Sequence, residues 1–350
     1  MTKFLIIDLF FYIQTINKPI LIIITYNYKI YMKKILIVGG GAMGSAFSIP
    51  CLENNNQVII TEPYNKIFIK DLSSKKKFHS SLKLNLPKRL RFKGYTKNIF
   101  KEKFDLIVIA LSLPGIDFIG SELKDLKIKV PILLLTKGLK YDKKSKKIVT
   151  IPELLKENYN VSNISVLKGP CLAKNLANKN LTNVVIANKN IKVAQKIGKI
   201  ISTNYYLSEF STDVVGIEIS SAIKNIYSMV IGAGQNLNTS SGLFQRSIIE
   251  MKYLTKFFKG KEATILGLAG VGDLYVSAAG GRNSKMGGYL GKGFTFKNAK
   301  KKFMPKETVE GEKLAKEIAP FIFKKINKNK IPLMANLLRS IINNKKFKLV

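Results

Sequence analysis

The chain has 350 residues, of which 46% are hydrophobic, and it carries a formal net charge of +37 at pH 7. This length and apolar content are enough to bury a full core, which excludes an intrinsically disordered chain and favours two domains over one. The basic residues are almost all Lys and are spread along the whole chain, which indicates compositional drift more than a nucleic-acid site. A non-catalytic basic protein that binds polyanions stays the rival interpretation.

The cysteine and histidine counts exclude several chemistries. Cys51 and Cys171 are far apart and have no CxxC spacing, which argues against a disulfide framework or a zinc cluster and suits a reducing cytoplasm. His79 is the single histidine, so a metal site with several histidines is excluded. Its polar neighbours predict a solvated loop, and we expect neither a bound metal nor a nucleic-acid partner.

The first residues form an apolar stretch that charged residues and a proline interrupt. Asp8, Lys18 and Pro19 divide it into pieces shorter than the roughly 20 residues that a transmembrane helix needs. The chain lacks a signal-peptide cleavage pattern here, and Met32 opens a segment that begins directly with a strand. We therefore expect residues 1–31 to be a spurious or disordered extension without an integral membrane span. An interfacial membrane anchor is the alternative.

A glycine-rich loop follows the first predicted strand, Lys34–Val38. Gly39, Gly41 and Gly44 have the spacing Gly-x-Gly-x-x-Gly, and a predicted helix over residues 46–54 follows them. We expect Gly39 to make the tight turn, Gly41 to let the backbone approach a pyrophosphate, and Gly44 to pack the helix against the strand. Free N–H groups at the start of the helix favour phosphate. The pattern therefore predicts a bound dinucleotide.

The segments after this loop predict the cofactor and the fold. A second strand, Gln57–Thr61, ends at Glu62, whose carboxylate can bind both ribose hydroxyls of NAD and repel the extra phosphate of NADP. NAD is therefore the expected cofactor, with NADP as the alternative. Further strands at 106–111 and 132–135 alternate with helical segments, which predicts an α/β, Rossmann-type doubly wound parallel sheet over residues 32–211.

The chain changes to helical patterns near Thr212, so we predict an all-helical substrate and catalytic domain over residues 212–350. Asp213 is a plausible N-cap for a helix that carries Lys224 and Asn225 among small polar residues. These residues either line a cavity or pack closely while Lys224 reaches water. A ketone that accepts a hydride needs a proton donor, and a partly desolvated Lys can provide it.

Three further residues of the sequence are candidates for ligand contacts. Lys137 follows the strand at 132–135, where it either faces the ligand crevice or is one of many surface lysines. A glycine-rich turn presents Asp273, and Arg282 follows shortly after it. Arg282 is one of few arginines, and its planar guanidinium can grip a phosphate.

Together these motifs resemble the bacterial NAD(P)-dependent glycerol-3-phosphate dehydrogenase family over residues 33–340. They occur in the order typical of the family: the glycine loop at 39–44, Thr136-Lys137-Gly138, Gly169-Pro170-x-x-Ala173, Gly216 through Asn225, Glu250-Met251, Gly267 through Asp273, Arg282-Asn283, and Val309-Glu310-Gly311. The resemblance implies reversible hydride transfer between NAD(P)H and dihydroxyacetone phosphate, supplying sn-glycerol 3-phosphate for phospholipid synthesis in the cytoplasm. A homodimer is compatible with it.

The resemblance also implies roles for individual residues. Lys224 would be the catalytic acid and base, and Asp273 would orient it and the substrate. To the cofactor contacts already predicted at the glycines and Glu62, it adds Ala42, Met43, Lys137, Ala173, Arg282 and Glu310. The expected substrate-binding residues are Lys137, Gly169, Cys171, Lys224, Asn225, Asp273, Gly281, Arg282 and Asn283.

The chain departs from the family pattern at several positions. The family usually has Ser at the place of Lys168, Ser or Thr at Cys171, and Ser at Gly281. A rival is another two-domain hydroxyacid dehydrogenase, such as a β-hydroxyacid or ketopantoate enzyme. The former typically separates its Lys and Asn by a helical turn, whereas Lys224 and Asn225 are adjacent here.

Overall fold

The computed structural model describes residues 5–13, 20–28, 32–73, 77–124, 126, 128–142 and 145–349, the first two ranges as backbone only. In those two ranges β1 (Leu5–Ile13) pairs antiparallel with β2 (Ile20–Tyr28). The expectation that residues 1–31 are a spurious or disordered extension concerns this segment and stays a prediction.

Strands and helices are mixed along the chain from Lys34 to Ser211. The strands are β3 (Lys34–Val38), β4 (Gln57–Thr61), β5 (Phe78–His79), β6 (Leu84–Asn85), β7 (Arg91–Phe92), β8 (Leu106–Ile109), β9 (Ile132–Leu134), β10 (Leu139–Asp142), β11 (Lys147–Thr150), β12 (Ile164–Lys168), β13 (Thr182–Ala187) and β14 (Tyr206–Ser211). The helices are α1 (Ala42–Glu53), α2 (Lys66–Leu72), α3 (Gly115–Leu123), α4 (Ile151–Tyr159), α5 (Ala173–Ala177) and α6 (Ile191–Ile201).

One large sheet organises this half of the protein. Within the described ranges its strand order is β14-β13-β12-β9-β8-β3-β4-β7. The strands from β7 to β12 in that order run parallel to one another, which confirms the predicted Rossmann-type sheet. The sheet departs from the parallel arrangement at one edge, because β13 pairs antiparallel with β12 and β14 runs parallel to β13.

Strand β3 shows how the sheet acquires helices on both faces. Successive side chains of a strand point to opposite faces, so an unbroken apolar strand needs a cover on each side. Ile35 and Ile37 pack into a core with residues of α1, whereas Leu36 and Val38 pack into a second core with residues of α3. Every one of these four side chains is fully buried. The carboxyl end of β3 and the loop after it are therefore held firmly.

Helices make up the rest of the chain, which begins right after β14. They are α7 (Val214–Gly232), α8 (Leu237–Phe257), α9 (Asp273–Ala278), α10 (Arg282–Gly291), α11 (Phe296–Phe303), α12 (Glu310–Lys325) and α13 (Pro332–Ile342). The start of α7 agrees with the predicted change of pattern near Thr212. Helix α7 lies at the centre of a third core, and almost all of its residues are buried.

Helix α7 is also the one helix of the described residues that is long and apolar enough to cross a membrane. However, 94% of its apolar window is buried inside the protein. A helix that is hydrophobic all round is expected in the centre of a helical core. Its composition is therefore explained by its position between the other helices.

Asp213 joins the start of α7 to a later loop, and its removal should destabilise the protein. Its Oδ1 accepts a hydrogen bond from the Gly216 N–H at 2.9 Å, and its Oδ2 accepts from the Lys261 N–H at 2.8 Å and from the Thr264 hydroxyl. We expect Asp213→Ala to lower the free energy of unfolding by about 1–3 kcal/mol, since both a helix cap and loop contacts are lost. Urea denaturation of the wild-type protein and the variant measures this difference in the free energy of unfolding.

Asp213→Asn is the matched control for this prediction, because its amide keeps one acceptor oxygen for the Gly216 N–H. We expect it to lose clearly less stability than Asp213→Ala. An alanine variant as stable as the wild-type protein would contradict the capping role.

Candidate active site

The glycine loop after β3 has the geometry of a phosphate cradle. Gly39 has φ of +114°, which favours glycine, and a Cβ there would lie 2.7 Å from the Ala110 carbonyl oxygen. A Cβ on Gly44 would lie 2.0 Å from the Gly39 carbonyl oxygen, so the helix can pack against the turn only with glycine at this position. A Cβ on Gly41 would meet nothing within 4 Å. The backbone at Gly41 is therefore open to a ligand.

Helix α1 begins at Ala42, four residues before the predicted start at residue 46. The glycine spacing placed the helix after Gly44, but this glycine belongs to the first turn because its missing Cβ allows the close packing. Gly41 is the N-cap and has no side chain to occupy the first N–H groups of the helix. The first turn, with Ala42 and Met43, therefore offers backbone donors and positive potential to an anion.

Glu62 lies beside this loop at the end of β4. Its Oε2 accepts a hydrogen bond from the Gly40 N–H at 2.9 Å, and its Oε1 accepts from the Tyr64 N–H at 3.0 Å. The carboxylate is thus fixed next to the glycines. The predicted contact of Glu62 with a ribose stays a prediction.

A cluster of two lysines and one aspartate lies where the sheet meets the helical part; Lys224 and Asp273 are buried, and a quarter of the Lys137 side chain is exposed. Lys137 Nζ lies 2.6 Å from Asp273 Oδ2, and Lys224 Nζ lies 2.8 Å from Asp273 Oδ1. Lys224 Nζ also donates to the hydroxyl of Ser277, one turn beyond Asp273 on α9. Lys137 follows β9, Lys224 lies in the middle of α7, and Asp273 follows a π-helical turn, Leu268–Gly272.

The charges of this cluster alter its pKa values. Burial lowers the pKa of Lys224, and the positive charge of Lys137 lowers it further, so that Asp273 only partly compensates. Burial opposes ionisation of Asp273, but Lys137 and Lys224 outweigh it and lower the pKa of that carboxyl. Burial also disfavours the charged form of Lys137, but Asp273 outweighs it and raises the pKa. With both lysines charged, the cluster has one excess positive charge, which suits an anionic substrate.

A polar network continues from Asn225, the neighbour of Lys224 on α7, to the start of α10. The Asn225 amide donates to Glu310 Oε2 at 3.2 Å, and the Asn283 amide donates to Asn225 Oδ1 at 3.1 Å. Asn283 Oδ1 accepts from the Gly311 N–H at 2.9 Å. An Arg282 Nη lies 3.5 Å from Glu310 Oε1, and about half of each side chain is exposed. The guanidinium is therefore held loosely and is available to a ligand.

The segment after β12 carries the remaining predicted contacts. Gly169 has φ of +129°, and a Cβ there would lie 3.6 Å from Leu268, beside the turn that leads to Asp273. Burial raises the pKa of Cys171 to about 12, so its thiol stays protonated at neutral pH. Ala173 begins the short helix α5. Gly281 is the N-cap of α10 and places Arg282 at its first position.

Comparisons with known proteins identify the family. Models of the NAD-dependent glycerol-3-phosphate dehydrogenase N-terminus and C-terminus match residues 34–194 and 213–350. A protein of Archaeoglobus fulgidus named NADP(+)-dependent glycerol-3-phosphate dehydrogenase is 31% identical over 298 residues, which cover 80% of this chain and 87% of the relative. The chain belongs to the NAD-dependent glycerol-3-phosphate dehydrogenase family. Family membership confirms the predicted enzyme class and the dependence on NAD or NADP.

Two further comparisons agree with this family. A glycerol-3-phosphate dehydrogenase [NAD(P)+] of Francisella tularensis subsp. holarctica is 29% identical over 300 residues, which cover 83% of this chain and 87% of the relative. The crystal structure of glycerol-3-phosphate dehydrogenase from Coxiella burnetii superimposes with a TM-score of 0.78 at 22% identity, covering 90% of this chain and 96% of that one. The latter shows that the two chains share a fold.

Several contacts of the site were missed by sequence reasoning. Lys168, where the family usually has Ser, is buried with its Nζ 2.7 Å from Glu218 Oε1, and it also donates to the Thr136 carbonyl oxygen. The expectation of a solvated His79 was wrong, because the side chain is 1% exposed and contacts the glycine loop. Ser277 could have been found from the sequence. It lies four residues after Asp273, and residues four apart on a helix share a face.

The described residues contain no group of three or more His, Cys, Asp or Glu side chains that could hold a metal ion. The polar groups gathered in this family member are instead ammonium, guanidinium and amide groups around one buried carboxylate. Such groups bind and neutralise anions.

Proposed function

We propose that this chain is an NAD(P)-dependent sn-glycerol-3-phosphate dehydrogenase in which Lys224 is the acid and base. The observation that carries the proposal is the buried Lys224 ammonium, held by Asp273 between the glycine-loop half and a loosely paired arginine. Residues 32–211 form the dinucleotide-binding domain in this account, and residues 212–350 form the substrate and catalytic domain.

The cofactor would lie along the glycine loop. Gly39 and Gly44 leave room for the turn, and the exposed backbone at Gly41, Ala42 and Met43 would bind the pyrophosphate. The cofactor, when bound, supplies or accepts the hydride. In the family pattern the remaining contacts come from Lys137, Ala173, Arg282 and Glu310, of which all but Ala173 belong to the polar network around Lys224 and Asn225.

The substrate phosphate would bind at the start of α10. Arg282 offers its guanidinium, and Asn283 offers a buried amide. The N-terminal end of this helix begins at Gly281 and adds positive potential. The excess positive charge of the lysine cluster attracts the same phosphate. Gly169, Cys171 and Asn225 would complete the wall of the site.

The proton would come from Lys224. During reduction its ammonium donates to the carbonyl oxygen of dihydroxyacetone phosphate, and during oxidation the neutral amine removes the hydroxyl proton of glycerol 3-phosphate. Asp273 holds the ammonium in place and compensates its charge, and Lys137 on the other carboxylate oxygen fixes Asp273. Burial lowers the pKa of Lys224 toward the range in which both protonation states are populated.

Glu62 should favour NADH over NADPH, because its fixed carboxylate would repel a phosphate on the adenosine ribose. We expect Glu62→Gln to raise the ratio of kcat/KM for NADPH to kcat/KM for NADH by about tenfold, from the loss of one charge repulsion. The glutamine keeps an acceptor for the Gly40 N–H, so the loop itself should stay in place. An unchanged ratio would show that Glu62 does not determine the preference for NADH over NADPH.

One assay tests the proposed function. Purified protein is mixed with dihydroxyacetone phosphate and with NADH or NADPH, and the loss of cofactor absorbance is followed. We expect turnover that needs the substrate phosphate, with dihydroxyacetone as the matched control. Oxidation of neither cofactor, or equal rates with and without the phosphate, would overturn the assignment.

The biological setting completes the proposal. The reaction would supply glycerol 3-phosphate for phospholipid synthesis in the cytoplasm, as the family suggests. A homodimer is compatible with the sequence, and the mass of the protein in solution tests it.

A further inference from the structure

The backbone of Gly40 is held by three side chains, one on its N–H and two on its carbonyl oxygen, which belong to two successive peptide groups. Its N–H donates to Glu62 at 2.9 Å, and its carbonyl oxygen accepts from the Ser45 hydroxyl at 2.7 Å. The same oxygen lies 3.2 Å from His79 Nε2. Ser45 and Glu62 belong to α1 and to the end of β4, which flank the loop. His79 comes from the separate β5–β6 hairpin and reaches back to the loop from there.

The hydrogen bonds of His79 determine which ring nitrogen carries the proton. Its Nδ1 lies 3.2 Å from the backbone N of Leu82, whose N–H donates to it, so Nδ1 must be unprotonated. The proton of the neutral ring is therefore on Nε2, which donates to the Gly40 carbonyl oxygen. The ring is 1% exposed, and Phe68 packs edge-on against it with 5.3 Å between ring centroids. The donor is thus fixed in direction.

Holding the Gly40 carbonyl also fixes the next N–H group. A peptide group is planar and trans, so the Gly40 C=O and the Gly41 N–H lie in the same plane and point in opposite directions. With the carbonyl aimed at His79 and Ser45, the Gly41 N–H points away from them, and the position of Gly41 is open to a ligand. Glycines have many accessible backbone conformations, so each contact that fixes this plane lowers the cost of binding.

We propose that His79 is a positioning residue for cofactor binding, whose Nε2–H holds the Gly39–Gly41 backbone in the conformation that receives the pyrophosphate. The inference rests on the proposed function in one respect, namely that this loop binds a dinucleotide. His79 itself touches the loop and not the ligand. It acts through the peptide plane between Gly40 and Gly41.

Two amide substitutions separate the contacts of His79 to the glycine loop and to its own hairpin. In His79→Gln the amide nitrogen takes the place of Nε2 and can donate to Gly40, but the acceptor for the Leu82 N–H is lost. In His79→Asn the amide oxygen takes the place of Nδ1 and can accept from Leu82, but nothing reaches Gly40. His79→Leu loses both contacts. The Kd of NADH is measured by fluorescence titration of the full chain, beside thermal stability.

We expect His79→Asn and His79→Leu to raise the Kd and KM of NADH by about 3- to 10-fold, the effect of one hydrogen bond. His79→Gln should stay within about twofold of the wild-type Kd even where its stability falls. The KM for dihydroxyacetone phosphate and kcat at saturating NADH should stay unchanged in all three variants. In the wild type, ¹⁵N NMR of the single histidine should show the proton on Nε2.

Three results would overturn the inference. They are wild-type affinity for NADH in His79→Asn, affinities that follow thermal stability instead of the donor to Gly40, and a proton on Nδ1. A wild-type protein that binds no NADH would instead contradict the proposed function, and this outcome is distinguishable because it appears before any substitution is made.

Discussion

Lys224→Met should reduce kcat by roughly 10²- to 10⁴-fold, the usual contribution of a positioned general acid and base. Methionine has a similar volume but cannot donate a proton, so the buried site next to Asp273 loses its ammonium without a large cavity. The glycine loop lies on another element, and we therefore expect the Kd of NADH to change little. Steady-state rates and a fluorescence titration of NADH measure the two quantities on the same preparation.

Lys192→Met is the matched control, since Lys192 is an exposed lysine of α6 in the other half of the chain. It should keep the wild-type rate. A Lys224→Met variant with near wild-type turnover would remove Lys224 as the acid and base. A variant that no longer binds NADH would show that Lys224 acts on the cofactor site instead.

The rates of reduction and of oxidation should depend on pH in opposite ways, because both depend on the protonation of Lys224. Reduction needs the charged ammonium of Lys224, so its kcat/KM should fall as pH rises through the pKa of Lys224. Oxidation needs the neutral amine and should rise over the same interval. Because burial and Lys137 lower that pKa, the transition should lie below the usual value for lysine, about 10.4. Rates in both directions across pH measure it.

Asp273→Asn should lower kcat/KM by roughly 10²-fold, the cost of a displaced catalytic group, because the Lys224 ammonium loses the carboxylate that holds it in place. The carboxylate compensates two ammonium groups at 2.6 and 2.8 Å, and asparagine leaves Lys137 and Lys224 as like charges in a buried site. The pKa of Lys224 should fall further, because the attraction that opposed burial is lost. The pH profile of reduction should therefore shift to lower pH.

Glu312→Gln is the control for this substitution, because Glu312 pairs with Lys316 on the surface of α12, where ion pairs contribute about 0–1 kcal/mol. It should leave kcat/KM unchanged. Wild-type activity in Asp273→Asn, or an unshifted pH profile, would show that Asp273 sets neither the position nor the pKa of Lys224.

The nucleotide-binding half could be predicted where its signals are local. Strands β3 and β4 have the predicted limits, because an aliphatic run and its flanking residues lie within a few positions of each other. The reversed direction of β13 and β14 could not be predicted. Strand direction depends on which edge of the sheet the chain reaches, and the apolar pattern of a strand is the same in both directions.

The candidate site shows the same division between local and long-range signals. Glycine spacing indicated the loop, and residue chemistry indicated Lys224 and Asp273 as candidates. These two residues are 49 positions apart in the sequence, so the contact that joins them could not be predicted. Ser80, Ser81 and Lys83 are exposed as their polarity suggests, yet His79 just before them is buried, because the hairpin folds onto the glycine loop.

The structure of the wild-type protein with NAD and glycerol 3-phosphate bound would test the role of Lys224 most directly. We expect the Lys224 Nζ within about 3 Å of the hydroxyl oxygen on the carbon that gives up the hydride. We also expect the phosphate between Arg282 and Asn283. A hydroxyl that pairs with Lys137 or with water, while Lys224 contacts only Asp273 and Ser277, would contradict the role of Lys224 as acid and base.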